Sequence, residues 1–112
     1  TAHAVAVGSG TAALELAMRA LDLAGGEVLV PALTWPSPAH AAALCGARPV
    51  LVDVDPSEWN GSPETFLRAL GPATRGIVAI DQFGAPARHG ALRLGDTIVH
   101  ALAKLVANVV AG

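Results

Sequence analysis

Seven residues near the amino terminus, Val7-Gly8-Ser9-Gly10-Thr11-Ala12-Ala13, lie between an apolar run and a segment of helical period. Two kinds of chemistry fit them. Read as G-x-G-x-x-A, they match the turn that opens a dinucleotide-binding βαβ unit. Read as S-G-T, they form a cup for a single phosphate. In both cases a glycine-containing turn from strand to helix leaves backbone N–H groups pointing outward, where the helix dipole favours an anion. Gly10 lets the backbone come close, and the Thr11 hydroxyl adds a donor. Ser9 is not a hydrolase nucleophile, because G-x-S-x-G needs glycines where this chain has Val7 and Thr11.

The second strand separates the two readings. A dinucleotide site places an acid about 20 residues on, at the end of that strand, to hold the ribose. Here the strand is Glu-Val-Leu-Val and runs into Pro31-Ala32-Leu33, and the next acids, Asp53 and Asp55, come one strand too late. In place of an acid the chain continues with Thr34-Trp35. The carboxyl ends of parallel strands share one edge, where ligands bind. An indole just past the second strand can therefore lie beside the phosphate cup and stack on a flat ligand. A core or interface aromatic is the other reading of Trp35.

The elements that position these residues follow from periodicity. Ala4–Gly8 reads as a short strand. Thr11–Leu23 reads as a helix, with Leu14, Met18 and Leu21 on one side, Glu15, Arg19 and Asp22 on the other, and Gly25-Gly26 as its stop. Glu27–Pro31 is a second strand, Pro36–Cys45 a helix closed by Gly46, and Pro49–Val54 a third strand turned by Asp55-Pro56. Ser62-Pro63-Glu64 starts a helix through Leu70 as N-cap, first helical proline and first-turn acid. Gly76–Asp81 is a fourth strand. This alternation predicts an α/β fold with a mainly parallel sheet and flanking helices. Beyond Pro86 the pattern fades, and Thr97–Val110 fits either a helix or a broken strand.

Bulk composition narrows the function class. With 53% hydrophobic and 14% charged residues, the chain has apolar surface to cover, by another domain or a subunit. Its net charge of −2 and scattered basic residues give no stripe for nucleic acid. Cys45 is the only cysteine, so there is no disulfide framework, and a reducing, cytoplasmic location is expected. No leader is visible and no apolar run reaches the roughly 18 residues of a membrane span. Thr97–Gly112 is interrupted by His100, Lys104 and Asn108. His3, His40, His89 and His100 show no ligand spacing, and no metal site is expected. Asp53 and Asp55 read as a strand end and a turn.

Taken together, S-G-T-A-A-L, E-V-L-V-P-A-L-T-W, G-A-R-P-V-L-V-D-V-D-P and F-G-A-P-A, in this order from about His3 to Ala87, resemble the large domain of DegT/StrS-type sugar aminotransferases. These are fold-type-I enzymes, aspartate aminotransferase-like in their large domain and dependent on pyridoxal 5'-phosphate (PLP). The resemblance implies that Gly10 and Thr11 contact the cofactor phosphate and that Trp35 stacks on the pyridine. It implies amino transfer from glutamate or glutamine to a nucleotide-linked keto sugar or a cyclitol, in amino-sugar or secondary-metabolite biosynthesis. It also implies a homodimer for the full enzyme.

PLP chemistry further requires a carboxylate on the pyridine nitrogen and a lysine that forms the Schiff base. The family carries the acid in an E-D-A-A-like motif one strand after F-G-A-P-A, and nothing here matches it. Asp81 sits one strand early, where the family more often has histidine. Lys104 is the only lysine, and Gly95-Asp96 through Asn108 resembles the family's lysine passage, with Ala101, Leu102 and Ala103 where serine or threonine is expected. Lys104 on an apolar stretch also fits a side chain that snorkels to water. Between Ala87 and Gly95 the chain is too short for the usual helix and acid-bearing strand, as though an internal stretch were lost. The division expected is residues 1–87 as a partial PLP-binding large domain and 88–112 as a shortened continuation. The alternative to an aminotransferase is a non-catalytic remnant that at most binds a phosphorylated ligand.

Overall fold

The computed structural model describes residues 4–88. Within them, three parallel strands, β1 (Glu27–Pro31), β2 (Arg48–Val52) and β3 (Thr74–Ile77), form one sheet in the order β2-β1-β3. Helices α1 (Gly10–Ala20), α2 (Ser37–Leu44) and α3 (Pro63–Ala69) flank it, and a short 3-10 turn spans Gln82–Gly84. This is the α/β arrangement with a parallel sheet and flanking helices that the alternation predicts.

Side-chain alternation in β1 divides the core into two layers. Val28 and Val30 face α1 and α2, packing with Leu14, Met18, Ala41, Ala42 and Val78. Leu29 faces the other way and packs with Val52, Phe66, Ile77 and Ala79. The connection through α2 and the connection through α3 thus lie on opposite faces. The chain crosses from β2 on one side of β1 to β3 on the other. All three strands being parallel, their carboxyl ends share one edge.

Local chemistry sets the helix ends. Ser9 caps α1, its hydroxyl accepting the Ala12 N–H at 3.2 Å. The helix stops at Ala20, before the expected Gly25-Gly26, because Asp22 adopts φ +53°. The Asp22 and Leu23 N–H groups then return to the Arg19 and Met18 carbonyls at 3.0 and 3.2 Å. Gly46, at φ +83°, ends α2 in the same manner, with Ala47 N–H on the Ala42 carbonyl at 2.9 Å. At α3 the Ser62 and Thr65 side chains each bond the other's backbone N–H, a capping box at the expected N-cap Ser62.

The sheet corrects three expected boundaries. Ala4–Gly8 is not a strand: Val5 is 84% exposed, and no described strand pairs with the run. An apolar run becomes a strand only where a sheet edge receives it. The third expected strand begins at Arg48 and ends at Val52, because its partner β1 ends at Pro31. The fourth begins at Thr74, opposite Glu27, and its regular pairing ends at Ile77, although Val78 N–H still donates to the Leu29 carbonyl at 2.9 Å.

Candidate functional site

The carboxyl edge of the sheet gathers the loops after β1, β2 and β3. Ser37 opens α2 six residues after Pro31, so the α2 N-terminus lies at this edge. The Thr11 hydroxyl donates to Ser37 Oγ at 3.0 Å, which brings the α1 N-terminus to the same place. The cup residues and the segment carrying Trp35 are therefore joined side chain to side chain.

The α1 N-terminus has donors to offer. Its Ala12 and Ala13 N–H groups are taken by the Ser9 hydroxyl and carbonyl at 3.2 and 3.0 Å. Among the described residues, the Gly10 and Thr11 N–H groups bond no protein acceptor. Two unsatisfied N–H groups at the positive end of an 11-residue helix, with a hydroxyl pair beside them, form a donor set for an anion. Trp35 is 77% exposed, which removes the core reading and leaves its ring available to a ligand or partner.

The acids at this edge have other employment. The Asp55 carboxylate accepts the Ser57 N–H at 2.8 Å as well as the Ser57 hydroxyl. That hydroxyl, and then the Ser57 N–H, hold the Asp55 carboxyl below its ordinary range, as the turn reading expects. Asp81 Oδ1 accepts the Ala87 N–H at 2.9 Å and so closes the loop that follows β3. Among the described residues no three His, Cys, Asp or Glu side chains come together as a metal-ligating group. No described helix is long and apolar enough to cross a membrane. Lys104, with the whole 95–108 passage, lies outside the described residues, as do His3, His89, His100 and nearly all of the expected 88–112 continuation.

One organising residue escapes a reading of the sequence. Asn60 is 2% exposed, and its side chain joins two loops of the edge. Its Nδ2 donates to the Ala85 carbonyl at 2.9 Å, and its Oδ1 accepts the Gln82 N–H at 2.8 Å. The clamp holds Trp59 and Phe83, both at positive φ (+61° and +54°), with their rings edge to face at 5.9 Å. Asn60-Gly61 reads in sequence only as a turn signal. Its burial comes from the loop after β3, which closes over it. Asn60→Ala removes both of these part-buried hydrogen bonds, each worth about 0.5–1.5 kcal/mol, and is expected to cost about 1–3 kcal/mol in urea unfolding. A further anchor is Arg88, which bridges Glu58 at 3.3 Å and Glu64 at 2.9 Å. The Glu64 carboxyl lies below its ordinary range, chiefly through a backbone hydrogen bond at the head of α3.

Comparison with known proteins places these features. The model of the DegT/DnrJ/EryC1/StrS aminotransferase family matches residues 1–94. Among solved structures, the chain is similar to 3-amino-5-hydroxybenzoic acid (AHBA) synthase, at 38% identity and TM-score 0.79, over 97% of this chain and 26% of that one. It is similar to DesV of S. venezuelae at 36% identity and TM-score 0.73, over 76% and 23% of the two chains. A Streptococcus pneumoniae protein assigned as a sugar aminotransferase, in its PLP form, matches at 32% identity and TM-score 0.70, over 75% and 22%. The matched region thus spans about a quarter or less of the length of these relatives.

Proposed function

The chain belongs to the DegT/DnrJ/EryC1/StrS aminotransferase family, and from that premise we propose that it carries the cofactor-phosphate half of a PLP-dependent aminotransferase site. The reaction is amino transfer from glutamate or glutamine to a nucleotide-linked keto sugar or a cyclitol, in a cytoplasmic homodimer. Residues 1–87 form the partial large domain, and 88–112 carry the lysine passage.

The observation that supports this most is the hydrogen bond from Thr11 to Ser37, because it sets the free N–H groups of Gly10 and Thr11 beside the segment of Trp35. This donor set fits a phosphate monoester. Gly10 and Thr11 would hold the phosphate through their backbone N–H groups with the Thr11–Ser37 hydroxyl pair beside them, and Trp35 would stack on the pyridine and exclude water. The cofactor, when bound, supplies an electron sink for the carbanion formed during transfer. Lys104, by the family resemblance, would be the amine that anchors the cofactor and shuttles protons.

A second reading, binding of a phosphorylated ligand without turnover, is favoured by one observation. Asp81, one strand early, accepts the Ala87 N–H, and the sequence carries no E-D-A-A-like motif to supply a carboxylate to the ring nitrogen.

Fluorescence titration of the full chain tests the cup. PLP is expected to bind at least about tenfold more tightly than pyridoxal, the loss of charged hydrogen bonds being worth that much or more. Thr11→Val is expected to weaken PLP and leave pyridoxal unchanged. Equal affinity for the two ligands in the unmodified chain overturns the proposal.

A further inference from the structure

Between Gln82 and Arg88 only Ala87 is buried, so little apolar area holds the loop after β3 in place. Polar bonds hold it instead, and they run along its whole length. Asn60 Oδ1 accepts the Gln82 N–H at 2.8 Å, and Asn60 Nδ2 donates to the Ala85 carbonyl at 2.9 Å. Asp81 Oδ1 accepts the Ala87 N–H at 2.9 Å. Arg88 bridges Glu58 at 3.3 Å and Glu64 at 2.9 Å. The Asn60 bonds and the ion pairs fasten the loop to the β2–α3 connection and the head of α3.

This closed arrangement is strained. Trp59 and Phe83 hold left-handed backbones, at φ +61° and +54°, which disfavour any residue with a Cβ. Burial does not offset that strain, because the two rings are 54% and 78% exposed and meet each other only edge to face. Lifting the loop lets Phe83 return to an ordinary conformation.

We infer that residues 82–88 are a strap with two states, closed over Asn60 and lifted, with Arg88 as its latch and left-handed Phe83 as a spring toward lifting. Lifting separates the loop after β3 from the loop after β2 and unburies Asn60, at the edge where the parallel strands end. It does so whatever that edge binds. Because the fastenings lie on one short segment, they release together. A change at Arg88 is therefore felt at Gln82, six residues away and held by a different side chain. The latch is exposed, so salt weakens it.

Amide hydrogen exchange of the full chain, followed by NMR, tests the strap. The Gln82 and Ala87 N–H groups report lifting, since their acceptors are the Asn60 and Asp81 side chains. The Val78 N–H, bonded to the Leu29 carbonyl at 2.9 Å, reports the sheet. After correction for intrinsic rates, Gln82 and Ala87 are expected to share one opening constant, at least about tenfold larger than that of Val78. Arg88→Gln is expected to raise it about two- to fivefold at both amides and to leave Val78 unchanged. Added salt is expected to do the same to the unmodified chain and nothing further to the variant. Phe83→Gly is expected to exchange more slowly at both amides than Phe83→Ala. Both variants lack the ring, and only glycine meets the left-handed backbone without strain. The inference is overturned by any of three results: Gln82 unmoved by Arg88→Gln, strap amides that open only together with Val78, or equal exchange in the two Phe83 variants.

Discussion

Phe66→Ala is expected to destabilise the folded chain by about 3–5 kcal/mol, the range for removing a buried aromatic ring. Phe66 is fully buried and is the largest side chain of the layer formed with Leu29, Val52, Ile77 and Ala79. It is the main contact through which α3 covers its face of the sheet. The ring also lies against Gly61, where an added Cβ would come within 2.5 Å of it, so the β2–α3 loop is fitted to this side chain. A domain's whole stability is commonly about 5–15 kcal/mol, so the loss is a large share of it. Urea unfolding followed by circular dichroism measures the change. A loss below about 1 kcal/mol would mean that α3 is not packed on the sheet as described.

Lys104→Ala is expected to have the largest effect on chemistry. If the sole lysine anchors the cofactor carbonyl, PLP added to the unmodified chain gives a visible absorbance band, and the variant gives none. Borohydride reduction then fixes a pyridoxyl mass on the Lys104 peptide. A band that persists in the variant, or its absence from both proteins, rejects Lys104 as the anchor. With the phosphate cup intact, absence from both leaves binding without turnover.

Much of the fold is legible in the sequence because local rules and tertiary demands agree. Ser62-Pro63-Glu64 announces a helix start, and both halves of its capping box form. Glu27–Pro31 occupies the predicted span because it is the central strand, with a partner on each side. Where the two levels part, the sequence misleads. Ala4–Gly8 has strand composition and no strand to pair with among the described residues. The stop of α1 lies at Asp22, an aspartate in a left-handed conformation, and the more obvious glycines come three residues later.

The site shows the same division. Gly10, Thr11 and Trp35 stand out because residue type and order carry their chemistry. Ser37 and Asn60 do not, because their roles arise from contacts across 26, 25 and 22 residues of sequence. Asp81 is the converse case. It attracts notice as an acid near the end of a strand, yet its carboxylate braces its own loop by taking the Ala87 N–H.

The claim that the α1 N-terminus is the phosphate site is tested most directly by amide chemical shifts. An isotopically labelled full chain is titrated with PLP and, separately, with inorganic phosphate. The head of α3, where Ser62 and Thr65 already satisfy each other, serves as an internal control. The expected result is that Gly10 and Thr11 show the largest amide shifts with both ligands, with Ser37 moving alongside them and the α3 head unchanged. Shifts that are largest at α3, or spread evenly over the surface, would contradict the assignment.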